Sequence, residues 1–364
     1  MSRLLIKGGS IISMDATIKD LPRGDILVED GRIVAIAPQL QADDAEIVAA
    51  TDMIVLPGLI NAHLHTWQTA LRGVAGDWTV GKYMQAMHGG LAGHFRPEDV
   101  YIANLMGALN GLNSGTTTLV DWCHCNHTPA HTDAALAGLI DSGSRALFLH
   151  GSPKPNAKPG QKHFSEIPMP RAEIERLRKS RFASDDGIVT LGLAILGPSY
   201  SVREVTRADI SLARELGLIA SMHVGGGIAL QPNGFEELLS DGLVGEGFNI
   251  VHGNSMKPEL IRALAGAGAS FTVTAEVELQ MGYGDPITGV LQGCGAPVTI
   301  GTDVEPCVSG DMFNAMRMTL QHERHRRTLE ILGETGSRPL DMPRHLPPGP
   351  GMGDHQWRQN GRTG

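Results

Sequence analysis

The chain has little cysteine, little aromatic side chain and no excess of positive charge. Four cysteines in 364 residues (Cys123, Cys125, Cys294 and Cys307) exclude a disulfide framework. Lysine and arginine number 30 against 39 aspartates and glutamates, a formal net charge of -9. That balance argues against nucleic acid or an anionic membrane as the main partner. No apolar run reaches bilayer-spanning length, and the opening Met1-Ser2-Arg3-Leu4-Leu5-Ile6-Lys7 lacks a signal peptide's hydrophobic region and cleavage site. A cytoplasmic location is the expectation. Glycine is abundant, at 46 residues, which suits a soluble α/β chain with many strand–helix turns and enough length for a large core.

Two apolar runs flank Glu29-Asp30-Gly31-Arg32, a hairpin signal, and residues 1–56 read as a small β-sandwich-like domain. From residue 57 strand and helix patterns alternate. Strands are expected at 58–64, 115–121, 145–150, 188–196, 219–223, 249–252, 270–274 and 297–303. Helices are expected at 97–113, 133–142, about 170–182, 204–216, 234–241, 257–267, about 287–293 and 310–325. Eight strands each followed by helical sequence fit a (β/α)8 TIM barrel over 57–330 better than an open sheet. Residues 331–364 lose the periodicity, and 338–364 are rich in proline, glycine and charge, a composition that reads as disordered.

The chemistry-bearing motif is Pro57-Gly58-Leu59-Ile60-Asn61-Ala62-His63-Leu64-His65. Residues two apart share one face of a strand, so His63 and His65 can grip one divalent ion, given further ligands from elsewhere in the fold. His223, His252 and Asp303 each close a later apolar run, where barrel active sites lie. Cys123-His124-Cys125 with His127 admits two readings. One is a separate zinc site, although no second Cys-x-x-Cys completes it; the other is a pocket-lining role for His124 or His127.

These residues resemble the amidohydrolase superfamily, in particular its cytosine deaminase-like, guanine deaminase-like and triazine-hydrolysing branch. The likeness covers roughly residues 1–325 and includes Leu71-Arg72-Gly73, Gly115-Thr116-Thr117-Thr118 and Gly301-Thr302-Asp303. It implies metal ligands His63, His65, His223 and Asp303, with His252 beside the metal-bound water or substrate. Binuclear members carry a carboxylated lysine near strand four; residues 188–196 contain no lysine, so one metal, zinc or alternatively ferrous iron, is expected. Deaminase-like members also carry a proton-shuttling glutamate three residues after the strand-five histidine, where this chain has Gly226. Glu276 and Glu278 follow strand seven instead, and alternation would point both to one side. Either one of them contacts substrate or shuttles protons, or both are solvated loop charges.

Relatives continue with a helix reading roughly Ala-Thr-Ile-Asn-Gly-Ala-Arg and then complete the β-domain. Codons allowed for residues 353–364, read one base later, can spell that helix. A frameshift after residue 325, leaving the C-terminal part truncated, is therefore expected.

A metal in such a site makes hydroxide available at neutral pH, Asp303 can accept and return a proton, and His252 can stabilise an oxyanion. Trp67, Gln68, Trp122 and His124 are candidate substrate contacts, although packing explains Trp67, Gln68 and Trp122 equally well. The loop from Lys154 to Gly160 reads as a lid or as a surface insertion. Three functions stay open: deamination of a nitrogen heterocycle, amide, carbamate or cyclic-amide hydrolysis on the same metal, and an inactive metal-binding remnant. The expected partner is a small-molecule substrate, with a homodimer left open.

Overall fold

The computed structural model describes residues 2–15, 17–225, 227 and 229–341. The chain forms two compact units that divide between Gly58 and Leu59. In the first, β1 (Arg3–Ile11), β2 (Leu21–Glu29), β3 (Arg32–Ala37) and β4 (Glu46–Ala49) lie in the order β3-β2-β1-β4, and β5 (Ile54–Val55) also pairs with β1. Asp30 and Gly31 both take positive φ, at 47° and 79°, which matches the right-handed twist of the strands they join. The expected hairpin is therefore present, with Glu29 facing Arg32. Where a sandwich-like unit was anticipated, the described residues form one sheet. Its buried cluster is Leu5, Leu27 and Ala42, with Ile11, Ile26 and Ala50 also buried, while Ile33, Ile47 and Ile54 stay exposed.

The second unit carries eight parallel strands: β6 (Leu59–Leu64), β7 (Thr116–Cys123), β8 (Arg145–Gly151), β9 (Val189–Ala194), β10 (Ala220–Val224), β11 (Phe248–His252), β12 (Ser270–Val273) and β13 (Val298–Ile300). Each neighbours the next in sequence order, and helices lie between them. This is a nearly closed (β/α)8 barrel. Local sequence explains several helix starts: Pro97–Asn113, Pro129–Ser142 and Pro258–Gly266 begin on proline, whose missing N–H is no loss at a first helical position. Phe148, Ile250 and Phe271, all wholly buried, belong to one large core.

Inside the barrel a polar ladder replaces hydrocarbon. Ser221 Oγ donates to Asn249 Oδ1 at 2.8 Å, Asn249 Nδ2 donates to Thr272 Oγ1 at 3.2 Å, and Thr272 and Thr299 share a bond of 2.8 Å. A satisfied network of this kind can be buried without the penalty of unpaired polar groups.

Two expectations need correction. The segment after β12 is a helix, Ala275–Met281, because Thr274 leads directly into a helical turn. Alternation therefore does not apply to Glu276 and Glu278. The last helix, Met312–Thr335, also runs well past residue 325. Residues 342–364, which hold most of the tail read as disordered and all of the segment behind the frameshift reading, lie outside the described residues. Among those described, no helix is long and apolar enough to cross a membrane.

Candidate metal centre

The barrel closes where the chemistry sits. A Cβ on Gly301 would lie 2.7 Å from the backbone nitrogen and oxygen of His63, so only glycine lets the end of β13 approach β6 this closely. The approach is fastened by bonds from Thr302 N and Asp303 N to His63 O (3.1 and 2.9 Å) and from His65 N to Asp303 O (2.8 Å). Asn61 Nδ2 donates to Thr302 Oγ1 at 2.7 Å. Asn61, His63 and His65 thus share one side of β6, as the two-residue period requires. Asp303 and His252 take φ of 65° and 70°. Non-glycine residues occupy this left-handed region at a cost, and such strain clusters at functional sites.

One ligand atom from each of His63, His65, His223 and Asp303 lies within 4.8 Å of the others. Asp303 Oδ1 is 3.1 Å from His63 Nε2 and 3.3 Å from His65 Nε2, and His223 Nε2 is 3.1 Å from His63 Nε2. Ligands at about 2.0–2.2 Å on a tetrahedron stand about 3.3–3.6 Å apart, so the spacing suits one cation with little adjustment. Burial pushes His63 down to about 4 and His223 well below the usual histidine range, leaving neutral rings with lone pairs to offer. Burial would raise Asp303, but bonds with His63 and His65 hold it well below the ordinary carboxylate range. His65 Nδ1 donates to Trp122 O at 2.6 Å, which fixes the tautomer with Nε2 free. His63 Nδ1 is buried without a partner. Three imidazoles and one anionic carboxylate, buried and convergent, fit a divalent ion.

On one flank stands a hydrogen-bonded relay. His252 Nε2 faces Asp303 Oδ2 at 3.7 Å, while its Nδ1 lies 3.2 Å from Glu278 Oε1 and 3.0 Å from Thr274 Oγ1. Glu278 is wholly buried and also accepts from Thr274 N at 2.9 Å and Asn254 Nδ2 at 3.2 Å. Glu276, two residues earlier on the same helix, turns the other way and accepts from Ser309 and Asn314. Side chains two apart on a helix do not share a face. The two acids that alternation paired are thus separated, and neither is a loop charge.

The other flank is built of rings. His124 stacks on His65 with centroids 4.3 Å apart and accepts from Trp67 Nε1 at 2.9 Å. Trp122 lies edge-on to His223 at 4.4 Å. Gln68 Nε2 donates to Tyr83 Oη at 2.6 Å. Trp67, Gln68 and Trp122 are all buried, and Trp67 packs against Phe95. His127 lies apart from this group, bonded to Ala92 O. Cys123 and Cys125 are free thiols in the core, and among the described residues no metal-capable group forms around them.

Several neighbours carried no warning in the sequence. Asp121 accepts from Thr66 N at 3.1 Å and Asn104 Nδ2 at 3.0 Å, pinning the turn that follows His65; burial raises its pKa to about 7. Tyr283 stands edge-on to His252 at 4.7 Å and His88 edge-on to His124 at 4.3 Å. They come from segments with no motif, brought in by the long loops above the strand ends. Gly226, where the shuttle glutamate was missed, lies outside the described residues.

Residues 54–341 match the amidohydrolase family, and the chain belongs to that family. Among curated proteins it is 29% identical over 233 residues to a 5-methylthioadenosine/S-adenosylhomocysteine deaminase of Symbiobacterium thermophilum, a match covering 62% of this chain and 49% of the relative. It is 30% identical over 151 residues to a 5'-deoxyadenosine deaminase of Methanosarcina acetivorans, covering 42% and 34%. The chain thus spans about a third to a half of the length of these relatives. Among solved structures, atrazine chlorohydrolase from Arthrobacter aurescens complexed with zinc superposes with a TM-score of 0.76 at 22% identity, covering 90% of this chain and 78% of that one. An adenosine deaminase from Xanthomonas campestris with bound zinc gives 0.70 at 22% identity, covering 90% and 75%. At such identities the structures establish the fold alone.

Proposed function

We propose that the chain is a divalent-metal-dependent hydrolase of non-peptide C–N bonds that deaminates a nitrogen heterocycle. The observation that carries the proposal is the convergence of His63, His65, His223 and Asp303 within 4.8 Å at the strand ends of the barrel. The deaminase names of the relatives support the reaction class. Zinc suits three imidazoles and one carboxylate, with ferrous iron the alternative. When bound, such an ion lowers the pKa of a water it holds toward about 7 and polarises the electrophile.

The protein's own groups manage the protons. Asp303 uses Oδ1 toward the ring nitrogens, and its Oδ2, 3.7 Å from His252 Nε2, is the atom that takes the proton from the attacking water and returns it to the leaving nitrogen. With its proton on Nδ1, His252 presents Nε2 as an acceptor that holds and orients the attacking water. Glu278 fixes the His252 tautomer by accepting from Nδ1, filling from the helix after β12 a polar role that no acid in the described part of the β10 end provides. The ring flank, with Trp67, Trp122 and His124, excludes water beside the ligand set.

Elemental analysis should find about one equivalent of zinc or iron per chain, lost in His63→Ala and His65→Ala, and ammonia should be released from amino-substituted heterocycles. Two tightly held metals would overturn the mononuclear site. Acid release from amides without ammonia would move the reaction to amide hydrolysis, and metal binding without turnover would make the chain an inactive relative.

A further inference from the structure

Lys154 belongs to the loop that follows β8, yet it is only 7% exposed. Its ammonium stands 5.1 Å from the ring of Trp122 and 5.1 Å from the ring of Tyr200. Both rings border the candidate centre. Trp122 lies edge-on to His65 and His223. A Cβ placed on Gly225 would be 3.5 Å from Tyr200 Oη and 3.7 Å from the His252 ring. The charge of Lys154 acts on His223, His124 and His88, and that of Asp303 acts on Lys154. Asn156, two residues on, donates to Gly89 O at 3.2 Å and ties the loop down. Among the described residues the one charge that acts on this ammonium is that of Asp303, and no hydrogen bond to a carboxylate accompanies it.

We propose that Lys154 is a substrate-recognition residue, selecting nitrogen heterocycles that carry an oxo or oxyanion substituent over oxygen-free rings. An ammonium donates three hydrogen bonds and accepts none. Two aromatic faces offset part of its burial cost but supply no acceptor. A ligand oxygen bearing negative charge does both, through a charge-assisted bond about twice as strong as a neutral one. Burial brings the lysine down to about 8, so it is still largely cationic at neutral pH. Calling the ligand a substrate rests on the hydrolase reading; the oxygen preference does not.

Calorimetric binding of barbiturate, an anionic trioxo ring, and of 2-aminopyrimidine, which has no oxygen, separates the two at pH 7. The protein is used with its measured metal content, and each variant is first checked by thermal unfolding. Lys154→Met should weaken barbiturate roughly tenfold or more while leaving 2-aminopyrimidine within about twofold, and Lys154→Arg should restore part of the loss. If Lys154→Met does not fold, Lys154→Gln takes its place. Equal weakening of both ligands, unchanged barbiturate affinity, or no barbiturate binding by the unmodified protein would each overturn the proposal. Selective loss of barbiturate without hydrolysis of any amino-heterocycle would support Lys154 and sink the hydrolase reading instead. Ammonia release with unaltered ligand preference in Lys154→Met would do the reverse.

Discussion

The two flanks of the metal-capable group solve the burial of polar side chains differently. Beyond β6 and β7, His65, Trp67, Trp122 and His124 are fixed chiefly by ring-on-ring packing and single hydrogen bonds. Beyond β11 and β12, His252, Thr274 and Glu278 are fixed by converging hydrogen bonds on a buried carboxylate. Packing holds a ring in place and excludes water but moves no proton. A carboxylate bonded to an imidazole sets which nitrogen carries the proton. In the proposed reaction one flank positions and the other controls protons, with Asp303 between them.

The largest effect should come from the hinge of that contrast. Asp303→Asn should keep the fold and lose about 10²–10⁴-fold in turnover, because a carboxamide cannot accept the water proton. A rate near that of the unmodified protein would remove Asp303 from proton transfer.

Next comes the relay itself. Glu278→Gln should lower kcat by about 10–100-fold, the usual cost of losing a hydrogen-bonded support beside a metal centre, and should shift the pH–rate profile. Glu276→Gln on the same helix should change kcat by less than about threefold, since its bonds to Ser309 and Asn314 lead away from the centre and changes remote from a site are small. Equal effects of the two substitutions would erase the distinction between the two faces of this helix and remove Glu278 from proton control.

The smallest effect is a pH signature of the ring flank. Burial, then the charges of Lys154 and His65, keeps His88 well below the usual histidine pKa. The unfolded chain therefore binds more protons here than the folded one below about pH 6.5. This contribution to stability is complete above that pH and declines as pH falls. Denaturant titrations of His88→Gln should show a shallower acid loss, by up to about 1.4 kcal/mol per pH unit. An unchanged slope would mean that His88 titrates alike in the folded and unfolded chain.

Much of the barrel was legible because its signals are local. Helical spacing marked residues 97–113 and 204–216, and apolar runs marked the strands, each within a few residues of Pro97–Asn113, Arg203–Glu215 and β7 to β12. The period of a strand likewise put His63 and His65 on one side without any knowledge of the rest of the fold. The shared direction expected for Glu276 and Glu278 was misjudged because one residue decides whether a strand pattern continues or turns into a helix, and Thr274 begins that turn.

Sequence by itself determined the alternation of strand and helix, the order in which candidate ligands close their strands, and the glycine at 301 that lets two strands meet. The distances between those ligands, the partner of His252 and the burial of Lys154 were decided by the tertiary structure alone. The physical reason is reach: periodicity and turn chemistry act over a few neighbouring residues, whereas His63 and Asp303 come within 3.1 Å across 240 positions only because closing the barrel brings its first and last strands together.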